Sequence, residues 1–103
     1  LFPADSDTPA AGICATFESE VVSLEIVLDV PAPRCAIVTA DQRLDIVNRT
    51  GAAIGVRFAG YEFKLQDGEA HLIDAPMGAY LAPGVHNIRV TDNAGNAPEL
   101  WLK

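Results

Sequence analysis

Between Val21 and Val30 every even position is apolar, with Val22, Leu24, Ile26, Leu28 and Val30 on one side and Ser23, Glu25 and Asp29 on the other. A period of two is the signature of a half-buried strand, because successive side chains leave a strand on opposite faces. Helical spacing would scatter those charges around a cylinder. Pro31 and Pro33 end the run, since neither has an N–H to give to a ladder. Cys35 to Thr39 reads as a short, mostly buried strand, and Arg43 to Asn48 as the next, with Leu44 and Ile46 inward. Ile54, Val56 and Phe58 then share a face, and Tyr61, Phe63 and Leu65 alternate with Glu62, Lys64 and Gln66. Ala70 to Asp74, Val85 to Thr91 and Glu99 to Leu102 complete the set, the second of these with His86, Ile88 and Val90 on one face.

The connections carry turn chemistry. Ala40-Asp41-Gln42, Asn48-Arg49-Thr50-Gly51, Asp67-Gly68 and Asp92-Asn93-Ala94-Gly95-Asn96 supply residues that tolerate positive φ or bond back to their own backbone. Ala75 to Gly84 is the long connection. Leu1 to Gly12 has no periodicity and is expected to be a flexible leader (1–12) outside the core, leaving 13–103 as a single domain. About eight strands at short, regular spacing predict an all-β, Greek-key β-sandwich of immunoglobulin-like plan. Its expected core is Val22, Leu24, Ile26, Leu28, Leu44, Ile46, Val56, Phe58, Phe63, Leu65, Ile88, Val90 and Leu100.

Composition narrows the partners more than the activity. The chain has 103 residues, enough for one core and too few for two. Its formal charge is −7, and its seven Lys and Arg are scattered along the sequence. Phosphate-rich partners need clustered cations, so nucleic acid and anionic lipid headgroups are poor candidates. No apolar run approaches the roughly 18 residues that cross a bilayer. Cys14 and Cys35 are the only cysteines. An even count in a small β domain without metal-ligand spacing favours a disulfide, and with it an exported location: secreted, periplasmic or at the cell surface. The alternative is two buried free thiols in a cytoplasmic protein.

Leu81-Ala82-Pro83-Gly84-Val85-His86-Asn87-Ile88 resembles the Pro-Gly-x-Tyr segment that enters the penultimate strand of cupredoxins. Leu44-Asp45-Ile46-Val47-Asn48 resembles their strand ending in Asn. The resemblance covers less than a third of the chain and implies a cupredoxin-like Greek-key sandwich. It implies no copper site. The Cys expected within Ile88 to Thr91 is missing, Asp92 to Pro98 holds neither His nor Met, and Arg49 to Phe58 lacks the first His.

His71, Met77 and His86 are the remaining soft or borderline ligands, and three such side chains could hold copper if the fold brought them together. They lie on separate elements, so His71 paired across strands and His86 packed in place of a family Tyr are the simpler expectation, with no cofactor. The Asp92 to Asn96 segment lacks the acid spacing and terminal Glu of a calcium loop. Asn48-Arg49-Thr50 matches a glycosylation sequon, although turn chemistry also explains an Asn there. Ser6, Ser19 and Ser23 have no neighbouring His or Gly-x-Ser-x-Gly elbow, and the acidic pairs lie in or near the leader. Ala75 to Leu81 is apolar where connections are usually polar. Pro76, Met77, Tyr80 and Leu81 could form an adaptable binding loop. The preferred reading is a plug over an open end of the sandwich, with Tyr80 bonded back to main chain.

The sequence therefore points to a non-enzymatic, exported binding or scaffolding module, with a partner protein or neighbouring domain as the natural counterpart. A small copper-handling protein built on His71, Met77 and His86 is the alternative from another class. A carbohydrate-binding module is a third, with one Trp and two Tyr to supply its aromatic surface.

Overall fold

Even-numbered side chains of β2 (Val21–Ile26) are buried and odd-numbered ones exposed, the alternation its sequence dictates. The computed structural model describes residues 1–103 and is all-β, with ten strands and a single 3-10 turn, Met77–Ala79. The remaining strands are β1 (Ala15–Thr16), β3 (Cys35–Val38), β4 (Arg43–Asn48), β5 (Ile54–Phe58), β6 (Tyr61–Leu65), β7 (Ala70–Ile73), β8 (Gly84–Asn87), β9 (Arg89–Val90) and β10 (Glu99–Leu102). They form three ladders, ordered β1-β3-β10-β8, β2-β4-β7 and β6-β5-β9. Pairing is mixed: β1 with β3, β3 with β10 and β2 with β4 are parallel, the others antiparallel. One extended segment, Gly84 to Val90, serves two ladders. Its first half pairs with β10 and, after a break at Ile88, its second half pairs with β5.

Seventeen buried side chains form one cluster, drawn from all three ladders together with Met77, Leu81 and Ile88 from outside them. Among them are Val22, Leu24, Ile26, Leu44, Ile46, Val56, Phe58, Leu65, Ile88 and Leu100, all expected from alternation. Phe63 and Val90 are only partly buried and pack against its margin. Leu28 does not belong to it. The first strand stops at Ile26 rather than Val30, and Leu28 and Val30 are 60% and 55% exposed. The reason is the partner strand. The β2–β4 ladder ends at the pair Ile26↔Asn48. Val27 then exchanges backbone bonds with Asn96, whose side-chain amide also donates to the Leu28 and Asp29 carbonyls. Those bonds draw the chain away from the ladder.

Leu1 to Gly12 is not a free leader. Phe2 N–H donates to the Tyr80 carbonyl at 2.8 Å, and Ala82 N–H donates to the Phe2 carbonyl at 2.9 Å. Asp5 N–H donates to Val85, and Val85 N–H to Ser6, each at 2.8 Å. Farther along, the Ala10 and Ala11 N–H groups reach the Glu99 carboxylate. The physical cause lies in β8. Val85 is fully buried and turns its N–H and C=O away from β10, so both need a partner on the open side. The N-terminal segment supplies it. Backbone pairing of this kind needs no hydrophobic period, which is why the composition of this stretch looked like a linker.

Cys14 and Cys35 are disulfide-bonded, 21 residues apart in sequence. Closing a loop of that length stabilises the folded chain by about 3 kcal/mol on the chain-entropy model. A Cys14→Ala/Cys35→Ala double variant should lose about that much in urea unfolding. Labelling of the unreduced, denatured protein should detect no free thiol.

Candidate functional site

The ladder between β5 and the Gly84–Val90 segment lasts for two pairs only, Val56↔Val90 and Arg57↔Arg89. Beyond them β5 turns into β6 through Ala59 and Gly60, while the N-terminal segment occupies the freed edge of β8. The sheet splits there. The split opens a cleft of about 300 Å³, lined chiefly by Phe2, Arg57, Phe58, Tyr61, His86 and Arg89. Both turn residues have positive φ, 49° at Ala59 and 83° at Gly60, as a two-residue turn between twisted strands requires. Glycine adopts that conformation freely; for Ala59 it costs about 1–2 kcal/mol, so the tight turn at the mouth is held under local strain.

His86 forms part of the cleft lining and is only 2% exposed. Its Nε2–H donates to the Ala82 carbonyl at 2.7 Å, which fixes the orientation of the ring. Phe58 meets the imidazole edge-on, with ring centroids 6.4 Å apart. Tyr80 packs edge-on against both Phe58 and Tyr61. Around the mouth runs a row of four charged side chains. The Asp5 carboxylate accepts from Asn87 N–H at 2.8 Å and from Arg89 Nη2 at 3.3 Å. Arg57 Nε donates to Glu62 at 2.8 Å. Arg57 and Arg89 are direct cross-strand partners, an arrangement that repels. Asp5 and Glu62 offset that repulsion from either side. The rim is therefore charge-balanced and its side chains are oriented by their partners.

The residues singled out from the sequence are placed elsewhere, His86 excepted. His71 is exposed on β7 and stacks on Phe63, centroids 4.2 Å apart. Met77 is fully buried in the 3-10 turn, and no group of three or more His, Cys, Asp or Glu converges as a metal site. His71, Met77 and His86 thus sit in three different settings. The apolar connection is largely buried. Met77 and Leu81 are 0% and 1% exposed, Pro76 and Tyr80 are half-buried, and the turn is tied to Gln42 and Ala40 by the N–H groups of Met77 and Gly78. The Tyr80 side chain does not bond back to main chain as expected. Its hydroxyl is buried without a hydrogen-bond partner, and only its backbone groups bond. Trp101 does not reach the cleft and has the Lys103 ammonium over its ring at 3.9 Å.

Burial, reinforced by the neighbouring Tyr61, pushes the Tyr80 phenol well above the ordinary tyrosine range. The folded protein therefore keeps a proton that the unfolded chain releases near pH 10, so stability falls as pH rises through that region. Tyr80→Phe removes both the orphaned hydroxyl and this dependence. It should raise stability at neutral pH by about 1 kcal/mol and flatten the alkaline limb of the stability–pH curve. An unchanged alkaline limb in Tyr80→Phe would assign the effect to another group.

Asn48, in the sequon, is fully buried with its side-chain nitrogen donating to the Ala52, Leu65 and Gln66 carbonyls. No glycan can be carried there in the folded state. The cleft residues Phe2, Asp5, Arg57, Tyr61, Glu62 and Arg89 were not legible as a site. Only the outward-facing Arg57 and Glu62 flanking a tight turn gave a signal, and nothing local links them to Asp5 or Arg89. No known protein family model matches this chain, and no curated protein is significantly similar to it. No helix is long and apolar enough to cross a membrane.

Proposed function

We propose that this chain is a non-enzymatic, cupredoxin-like Greek-key β-sandwich module of an exported protein, and that it binds a small ligand in the cleft where β5 parts from β8. The disulfide supports an oxidising compartment. The cupredoxin-like reading draws support from its two segments: Pro83-Gly84 leads into β8, part of the extended segment preceding the final strand, and Leu44 to Asn48 falls within β4, which ends at Asn48. The observation that carries the binding role is the cleft itself. It combines a buried imidazole, an aromatic wall and a rim of oriented charges, the few convergent polar groups in an apolar setting that mark ligand sites.

Binding is favoured over catalysis by what lines the cleft. It contains no Ser, Thr, Cys or Lys to act as a nucleophile. Its two carboxylates are each committed to an arginine. The test is a titration of ¹⁵N-labelled protein with a mixed library of small neutral, anionic and aromatic compounds. Binders should shift the amides of Arg57 to Glu62, Asn87 and Arg89 together. A library whose hits all map to other surfaces, or that yields none, would overturn this reading.

A further inference from the structure

Charge balance and size together narrow the ligand class. The rim places two guanidinium groups and two carboxylates in one row, Asp5–Arg89–Arg57–Glu62, with no net charge. A small anion would have to compete with Asp5 or Glu62 for guanidinium already engaged, and would approach a chain of charge −7. A cation would have to take those carboxylates from their arginines. A neutral ligand rich in hydroxyl groups has neither problem. Each hydroxyl donates to one group and accepts from another, and the row offers both kinds side by side. Arg57 keeps its two terminal nitrogens beyond the Nε–Glu62 bond, and each carboxylate keeps lone pairs.

The apolar surfaces fit the same ligand. Phe2 and Tyr61 both line the cleft and remain 44% and 37% exposed. An aromatic face is electron-rich and suits the polarised C–H face of a sugar ring. The volume of about 300 Å³ lies at the small end of ligand pockets, room for a ring and its substituents rather than a long chain. We infer that the cleft between the β5–β6 turn and the N-terminal segment takes a single neutral sugar ring, stacked on Tyr61 and Phe2 and hydrogen-bonded by the Arg57–Glu62 and Arg89–Asp5 pairs. This inference rests on the cleft being the binding site, as proposed above.

The experiment is a set of parallel ¹⁵N-NMR titrations with glucose, galactose, mannose and N-acetylglucosamine in one arm, and acetate, benzoate and inorganic phosphate in the other. At least one sugar should shift the Ala59 to Glu62 and Asn87 amides saturably, with the anions leaving them unmoved at matched ionic strength. Tyr61→Ala should weaken that sugar at least tenfold and Tyr61→Phe should restore it. Arg57→Met, at an exposed side chain, provides a second loss-of-binding variant if Tyr61→Ala fails to fold. Anions that saturate these amides where sugars do not would overturn the sugar assignment and leave the cleft as the binding site. Sugar-induced shifts centred on Trp101, or sugar binding unaffected by either variant, would overturn it as well. If neither arm moves the cleft amides, the sugar assignment fails, and the library titration above decides the binding role of the cleft separately.

Discussion

Asn48→Ala is expected to cost about 3–5 kcal/mol, a large part of the stability of a domain this size. The side chain is wholly buried and joins the turn after β4 to the end of β6. Its Nδ2 donates to the carbonyls of Ala52 (2.7 Å), Leu65 (3.1 Å) and Gln66 (3.1 Å). Its Oδ1 accepts from the Thr50 N–H at 3.0 Å and the Thr50 hydroxyl at 2.7 Å. Removing the amide strands several of these groups, and each unsatisfied buried group costs about 1–3 kcal/mol. Asn48→Asp separates this from simple loss of volume. It keeps the acceptor toward Thr50 but turns a second oxygen toward three carbonyls, so it should be at least as damaging as Asn48→Ala. Urea unfolding of both variants checks the prediction. A loss below about 1 kcal/mol in Asn48→Ala, or an aspartate variant of near-native stability, would show that these segments hold together without this side chain.

The same residue shows what could be read from the sequence. That Asn48 closes a strand before a Gly-containing turn follows from local chemistry. That it binds Leu65 and Gln66 does not, because those carbonyls arrive from the end of β6, 17 and 18 residues away. Strand alternation was legible where one face is buried and the other wet, as in β2. It misled at Leu28, where the pattern continued after the partner strand had ended. It was silent on Ile73, Leu81 and Val85, buried residues that no clean alternation singled out. The cleft was hidden for a related reason. Its rim needs Asp5 beside Arg89 and Arg57 beside Arg89, pairings set by how β5 and the N-terminal segment divide the edge of the Gly84–Val90 segment. Alternation predicts which way a side chain points, not which distant strand lies beside it.

Met77→Ala is expected to cost about 2–5 kcal/mol, the range for truncating a fully buried methionine. Two readings of the Ala75 to Leu81 connection make opposite predictions here. In an open binding loop, Met77 would be solvent-facing and its truncation nearly silent. In the fold described above, the side chain belongs to the 17-residue core, and its N–H donates to the Gln42 carbonyl at 2.8 Å. Gln42 is itself buried and bonds to the Phe17 and Ser19 carbonyls, so the turn is anchored to the chain preceding β2. The loss should appear in the urea midpoint with an unchanged slope, since the folded and unfolded surfaces are otherwise the same. Pro76→Ala, at a half-buried neighbour whose missing N–H bonds nothing, should cost far less. Peroxide offers an independent readout. The Met77 thioether should oxidise slowly in the native protein and readily once unfolded, because reagent reaches it only through opening of the core. Rapid native-state oxidation together with a silent Met77→Ala would return this connection to the role of an exposed binding loop.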